Sequence, residues 1–167
     1  MTKPKLYIET SVVSYFAARP SRDLIVLAHQ EITKEFWEER LARFNGFVSR
    51  IVLDEAGDGD PSAAKARLDL LKRFLVLPVT DEVDRLAAMY LAENVVPPRA
   101  LRDAYHIALA SVHEIDYLAT WNCAHIGSGQ ARKQIRELND REGILTPIIC
   151  SPESLMEVIE YVERSHC

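Results

Sequence analysis

Short β-prone apolar runs alternate with amphipathic helical stretches along this chain, and that rhythm constrains its fold more than any other feature. The runs "KLYIE" (5–9), "LVLPVT" (75–80), "DYLAT" (116–120) and "TPIIC" (146–150) have the length and side-chain content of buried strands. Between the first two, "RDLIVLAHQEITKEFWEERLARF" (22–44) spaces Leu24, Leu27, Ala28, Ile32, Trp37 and Leu41 at helical intervals, and Asn45-Gly46 is expected to end that helix. Further helices are predicted over 61–74, opened by Pro61 after "GDGD", over 81–94, over 99–114 beyond Pro97-Pro98, over 128–142, and after Ser151-Pro152-Glu153. The segment "FVSRIVLDEAG" (47–57) is apolar, with Ser49 inside it and an acidic pair, Asp54-Glu55, near its end. Strands separated by helices argue for a mostly parallel sheet covered on both faces, a three-layer α/β/α sandwich. In such a sheet the functional crevice lies beyond the carboxyl ends of the strands.

The size, 167 residues and 18.9 kDa, predicts a single domain over residues 1–167 with a substantial core. No apolar run approaches the roughly 18 residues of a membrane span, and the N-terminus lacks a signal-peptide core. Cys123, Cys150 and Cys167 show no C-x-x-C spacing, which argues against a disulfide framework or zinc knuckle and fits a reducing cytoplasm. A net charge of -5 supplies no general basic field for nucleic acid. Acidic residues gathered around a cation would count towards that total, so an enzyme is less affected by this objection than a stoichiometric binder.

No P-loop, dinucleotide-binding glycine loop or nucleophile elbow is present. A phosphoaspartyl enzyme would place Asp where the first strand ends in Glu9. What remains is a dispersed set of acids: Glu9, Asp54 or Glu55, and Asp103. Glu9 closes its strand and is followed by two hydroxyls, Thr10 and Ser11, before the chain turns apolar again. That placement fits either a helix cap or a functional rim. Asn122 lies just past another strand. Helical spacing puts Arg99, Arg102, Asp103 and His106 within about 100° of arc. Read blandly, Asp103 is a helix-dipole partner, His106 a satisfied helix histidine, Trp121 core packing, and "RKQIR" (132–136) a solvated helix face.

In order, "YIETSVVSYF", "VSRIVLDEA", "LRDAYHIALA" and "YLATWN" resemble the four signature segments of the PIN domain family, which includes VapC-type toxin ribonucleases. The resemblance spans nearly the whole chain. It implies an acidic pocket that holds Mg²⁺ or Mn²⁺ and cleaves single-stranded RNA by activated-water attack. Carried onto this chain, the catalytic acids are Glu9, Glu55 (over Asp54) and Asp103, converging on one pocket. Asn122 occupies the fourth metal position, where the family usually has Asp. Thr10, Ser11 and Thr120 correspond to supporting hydroxyls; Arg99 and Arg102, read blandly as solvated surface charges, stand at the rim where RNA would be contacted. Glu9 has a longer reach than the usual Asp, and Asn122 removes a charge, so one metal is expected at rest. An antitoxin partner and a homodimer are further implications. The rival readings are a non-catalytic PIN-like module that binds RNA or protein, and a small-molecule phosphohydrolase on a similar sheet.

Overall fold

A computed structural model describes residues 2–156 of the protein. Five strands, β1 (Lys5–Ile8), β2 (Asn45–Ser49), β3 (Leu75–Leu77), β4 (Tyr117–Ala119) and β5 (Ile148–Cys150), form one sheet in the order β3-β2-β1-β4-β5, with every pairing parallel. Between them run α1 (Thr10–Ala17), α2 (Leu24–Glu35), α3 (Arg50–Ala56), α4 (Pro61–Leu71), α5 (Asp81–Ala92), α6 (Leu101–Val112) and α7 (Gly129–Glu142). Leu6, Tyr7 and Ile8 of β1 are all fully buried, because a central parallel strand is covered on both faces. This is the α/β/α sandwich that the strand–helix rhythm predicts.

From β1 the chain builds outward through β2 to β3, then crosses back to add β4 and β5 on the other side. The direction of building therefore reverses between β1 and β4. Helices after β1 and before β4 diverge there, and a crevice opens at the carboxyl ends of the two strands. α1 packs against α2, α3 and α4, while α5 and α6 pair with each other.

The stretch 22–44 is not one regular helix. Asp23 caps α2 by accepting from the backbone N–H groups of Ile25 and Val26. Beyond Glu35 the backbone widens into a π turn (Phe36–Arg40) and then tightens into a 3₁₀ turn (Leu41–Arg43). Phe36, Trp37 and Leu41 of this segment are buried in the core. Asn45-Gly46 does not cap this segment but begins β2. Gly46 is required by the Phe74 ring, whose nearest carbon lies 2.6 Å from where a Cβ would stand.

"FVSRIVLDEAG" divides at Ser49, whose hydroxyl accepts from the N–H of Val52 and so ends β2 and starts α3. β3 stops at Leu77 because Pro78 has no N–H to give the ladder. Residues 152–156 are helical, as the cap at Ser151 predicts; the rest of that predicted helix and Cys167 lie outside the described residues. No helix among the described residues is long and apolar enough to cross a membrane.

Candidate metal centre

Glu9 follows the last residue of β1. Its N–H donates to the carbonyl of Ala119 (3.1 Å), which carries the β1–β4 pairing one residue past the strand and sets the side chain at the crevice. It is also the N-cap of α1, accepting from the Ser11 N–H at 3.1 Å. The same carboxylate oxygen accepts from the hydroxyls of Ser11 and Thr120, the latter at 2.8 Å. Each hydroxyl in turn accepts a backbone N–H, that of Trp121 at Ser11 (2.8 Å) and that of Asn122 at Thr120 (2.9 Å). The two hydroxyl protons are thereby directed at Glu9, which is only 5% exposed. The three polar residues closing β1 thus include a helix cap and a buried carboxylate with its own donors.

Glu55 is carried by α3, which starts where β2 ends. Its Oε1 accepts from Thr10 Oγ1 at 2.8 Å and lies 2.7 Å from His106 Nε2, while Arg102 approaches Oε2 at 3.9 Å. The neighbouring Asp54 is turned away and pairs with Arg50 at 2.9 Å, on an exposed surface. This separation of adjacent acids follows from the roughly 100° turn per helical residue.

His106, fully buried on α6, also contacts the Tyr7 hydroxyl through Nδ1 (2.8 Å), and Tyr7 reaches Ser49 Oγ (2.7 Å). A continuous chain therefore links Ser49, Tyr7, His106, Glu55 and Thr10. Burial alone would push the Glu55 carboxyl up, but the His106 hydrogen bond and charge, with Thr10 and Arg102, hold it below its ordinary value. Burial likewise opposes the imidazolium of His106. Glu55, Glu9 and Asp103 outweigh it and raise His106 above its ordinary value. Burial keeps Tyr7 a neutral phenol throughout the working pH range.

One ligand atom each from Glu9, Glu55 and His106 fall within 4.8 Å of one another. Two carboxylates converging in a largely buried site favour a cation between them. Oxygens of the two carboxylates are the ligands that Mg²⁺ or Mn²⁺ prefers. With Nε2–H donated to Glu55 Oε1, His106 orients the carboxylate and leaves Oε2 to ligate, a common arrangement around bound metals. The residues fit a divalent cation.

Asp103 is not part of this group. Its Oδ2 lies 2.9 Å from His125 Nδ1, and its Oδ1 accepts from Asn122 Nδ2 at 3.3 Å; Asn122 Oδ1 accepts from the His125 N–H at 3.2 Å. The structure thus brings Glu9, held by Ser11 and Thr120, near Glu55, held by Thr10, and sets Asp103 and Asn122 in an adjoining cluster. The four-residue arc expected on α6 is not formed as drawn. Arg99 lies in the turn before Leu101, because Pro97-Pro98 delays the helix, and its exposed side chain is not on the helical face. Arg102 is on the rim and already faces acids, with Asp58 at 3.3 Å besides Glu55. His125 escaped the sequence reading. Its only signal was its place three residues after Asn122, on a loop whose path the sequence does not show.

The all-parallel sheet with acids at its topological reversal defines a PIN-like α/β/α fold. Among solved structures the chain is similar to that of VapC20 from Mycobacterium tuberculosis, a toxin that cleaves the sarcin–ricin loop. The TM-score is 0.58 at 17% identity, covering 75% of this chain and 95% of that one. At this identity the likeness is one of fold. No protein-family model matches the sequence, and no curated protein matches it significantly.

Proposed function

We propose that the protein is a divalent-metal-dependent endoribonuclease that hydrolyses phosphodiesters of single-stranded RNA, and that it acts as the toxin of a toxin–antitoxin pair. The observation that carries this reading is the convergence of Glu9, Glu55 and His106 at the β1–β4 crevice of a VapC-like fold. The likeness to a toxin that cleaves RNA supports the substrate class and an antitoxin partner; a homodimer is part of the same proposal.

Glu9 and Glu55 are assigned as ligands of Mg²⁺ or Mn²⁺, with Asp103 completing the acidic rim. A hard dication bound there would polarise the phosphodiester and lower the pKa of a water poised for in-line attack. Ser11 and Thr120 hold Glu9 in place, Thr10 and His106 hold Glu55, and Asn122 with His125 holds Asp103. Arg102 at the rim, with Arg99 beside it in sequence, is assigned to substrate phosphates.

Incubating purified protein with single-stranded RNA in Mg²⁺, in Mn²⁺ and in chelator tests the reading. Cleavage should need the metal and fall by about a hundredfold or more in Glu9→Gln, the scale on which loss of a transition-state electrostatic group is felt. Binding without cleavage in either metal would favour a non-catalytic module. Turnover of small phosphate esters but not of RNA would favour a phosphohydrolase.

A further inference from the structure

Two tryptophans are present, and they are used differently. Trp37 is 6% exposed and stacks on Phe16 in the core at 4.8 Å. Trp121 stays partly exposed, between Thr120 and Asn122 at the carboxyl end of β4. Its indole lies nearly parallel to the imidazole of His29, with centroids 4.2 Å apart and planes at 17°. Tyr15 meets Trp121 edge-on at 6.1 Å, and both His29 and Tyr15 are also partly exposed.

Trp121 is fixed at both ends. Its backbone N–H donates to Ser11 Oγ, the hydroxyl that donates to Glu9. Its indole N–H donates to Thr33 Oγ1 at 2.8 Å, and the Thr33 hydroxyl is itself bound to the His29 carbonyl at 2.6 Å. An aromatic group has therefore been oriented on α2 and joined to the carboxylate centre through one hydroxyl.

We propose that Trp121, His29 and Tyr15 form a stacking subsite for an unpaired nucleobase of the strand whose phosphate would meet a dication held by Glu9 and Glu55. The proposal rests on the ribonuclease reading and deepens it. Aromatic faces accept any base, and bases inside a duplex are already stacked, so such a subsite selects single-stranded or unpaired nucleotides without demanding a sequence. It also adds recognition by rings to the few rim cations, which suits a chain of net charge -5.

The test titrates the full chain, in Ca²⁺ so that an oxygen-ligand site is filled, with a fluorescein-labelled single-stranded RNA whose integrity is followed on a denaturing gel. Anisotropy and tryptophan emission are followed together. Binding should quench Trp121 in step with the anisotropy change, leaving buried Trp37 as background. His29→Ala, on a helix where Ala is well tolerated, should weaken binding about tenfold with an unchanged salt slope, since no phosphate contact is lost. Trp121→Phe should abolish the quench and retain part of the affinity. An oligonucleotide of abasic sugars should bind the parent more weakly than the normal one binds His29→Ala, since it loses the stack on all three rings. Anisotropy binding without quenching, or parental affinity in His29→Ala, overturns the subsite and leaves the ribonuclease reading standing. Absence of any binding overturns the subsite, and the cleavage assay then decides the ribonuclease reading separately.

Discussion

At the scale of single residues, Asn122 stands where the family pattern has an acid. Its amide donates to Asp103 while its carbonyl accepts from the His125 N–H. An aspartate could do only the second and would put a carboxylate against Asp103 across a 3.3 Å contact. Asn122→Asp should therefore lower the melting temperature of the metal-free protein by about 2–4 °C, the shift expected for roughly 1 kcal/mol in a chain of this size. Mn²⁺ should return more stability to the variant than to the parent, and calorimetric titration should find tighter binding. Equal metal-free melting temperatures would remove Asn122 from this role. Glu9 could be read as a rim residue from sequence because a strand end needs no side-chain detail. His125 could not, because its approach to Asp103 depends on the 121–127 loop, closed by the Gly127 N–H on the Asn122 carbonyl at 2.8 Å.

At the scale of elements, hydrophobic period located four of the five strands and most helices, but missed β2, and local context set the ends. Asn45-Gly46 carries the composition of a helix stop, and nothing in that dipeptide announces the Phe74 ring packed over it 28 positions later. A methyl group at Gly46 would have to displace that ring, which is part of a packed aromatic pair with Trp37 at 5.7 Å. Gly46→Ala should cost about 1–3 kcal/mol, the usual penalty for overpacking, and lower the urea midpoint without changing the slope. An unchanged midpoint would show that Phe74 moves aside freely. The division of "FVSRIVLDEAG" at Ser49 was similarly hidden, since both halves are apolar and only the hydroxyl's bond to Val52 marks the boundary.

At the scale of the whole molecule, the Glu55–His106 pair makes metal-free stability depend on pH. Glu55 is lowered from 4.5, so its contribution is full above pH 4.5 and is lost as pH falls through its folded value. His106 is raised from 6.5, so its contribution is full below pH 6.5 and is lost as pH rises through its folded value. Thermal melts in chelator should peak between pH 4.5 and 6.5 and decline on the alkaline side. His106→Asn should be less stable at the peak and lose most of the alkaline decline. A parent profile flat from pH 6 to 8 would contradict the pairing.

Glu9 is served by a hydroxyl 111 positions further along, Thr120, presented by a strand that β1 must accept as its neighbour. Translation supplies these parts in a fixed order. While residues up to α6 are emerging, Glu9 and Glu55 already exist, but the hydroxyl of Thr120 and the loop carrying Trp121, Asn122 and His125 have yet to be made. A nascent chain is therefore without a finished centre until β4 has left the ribosome and docked. For an enzyme proposed to cut RNA, its own topology delays competence until β4 and the loop after it have been made and docked.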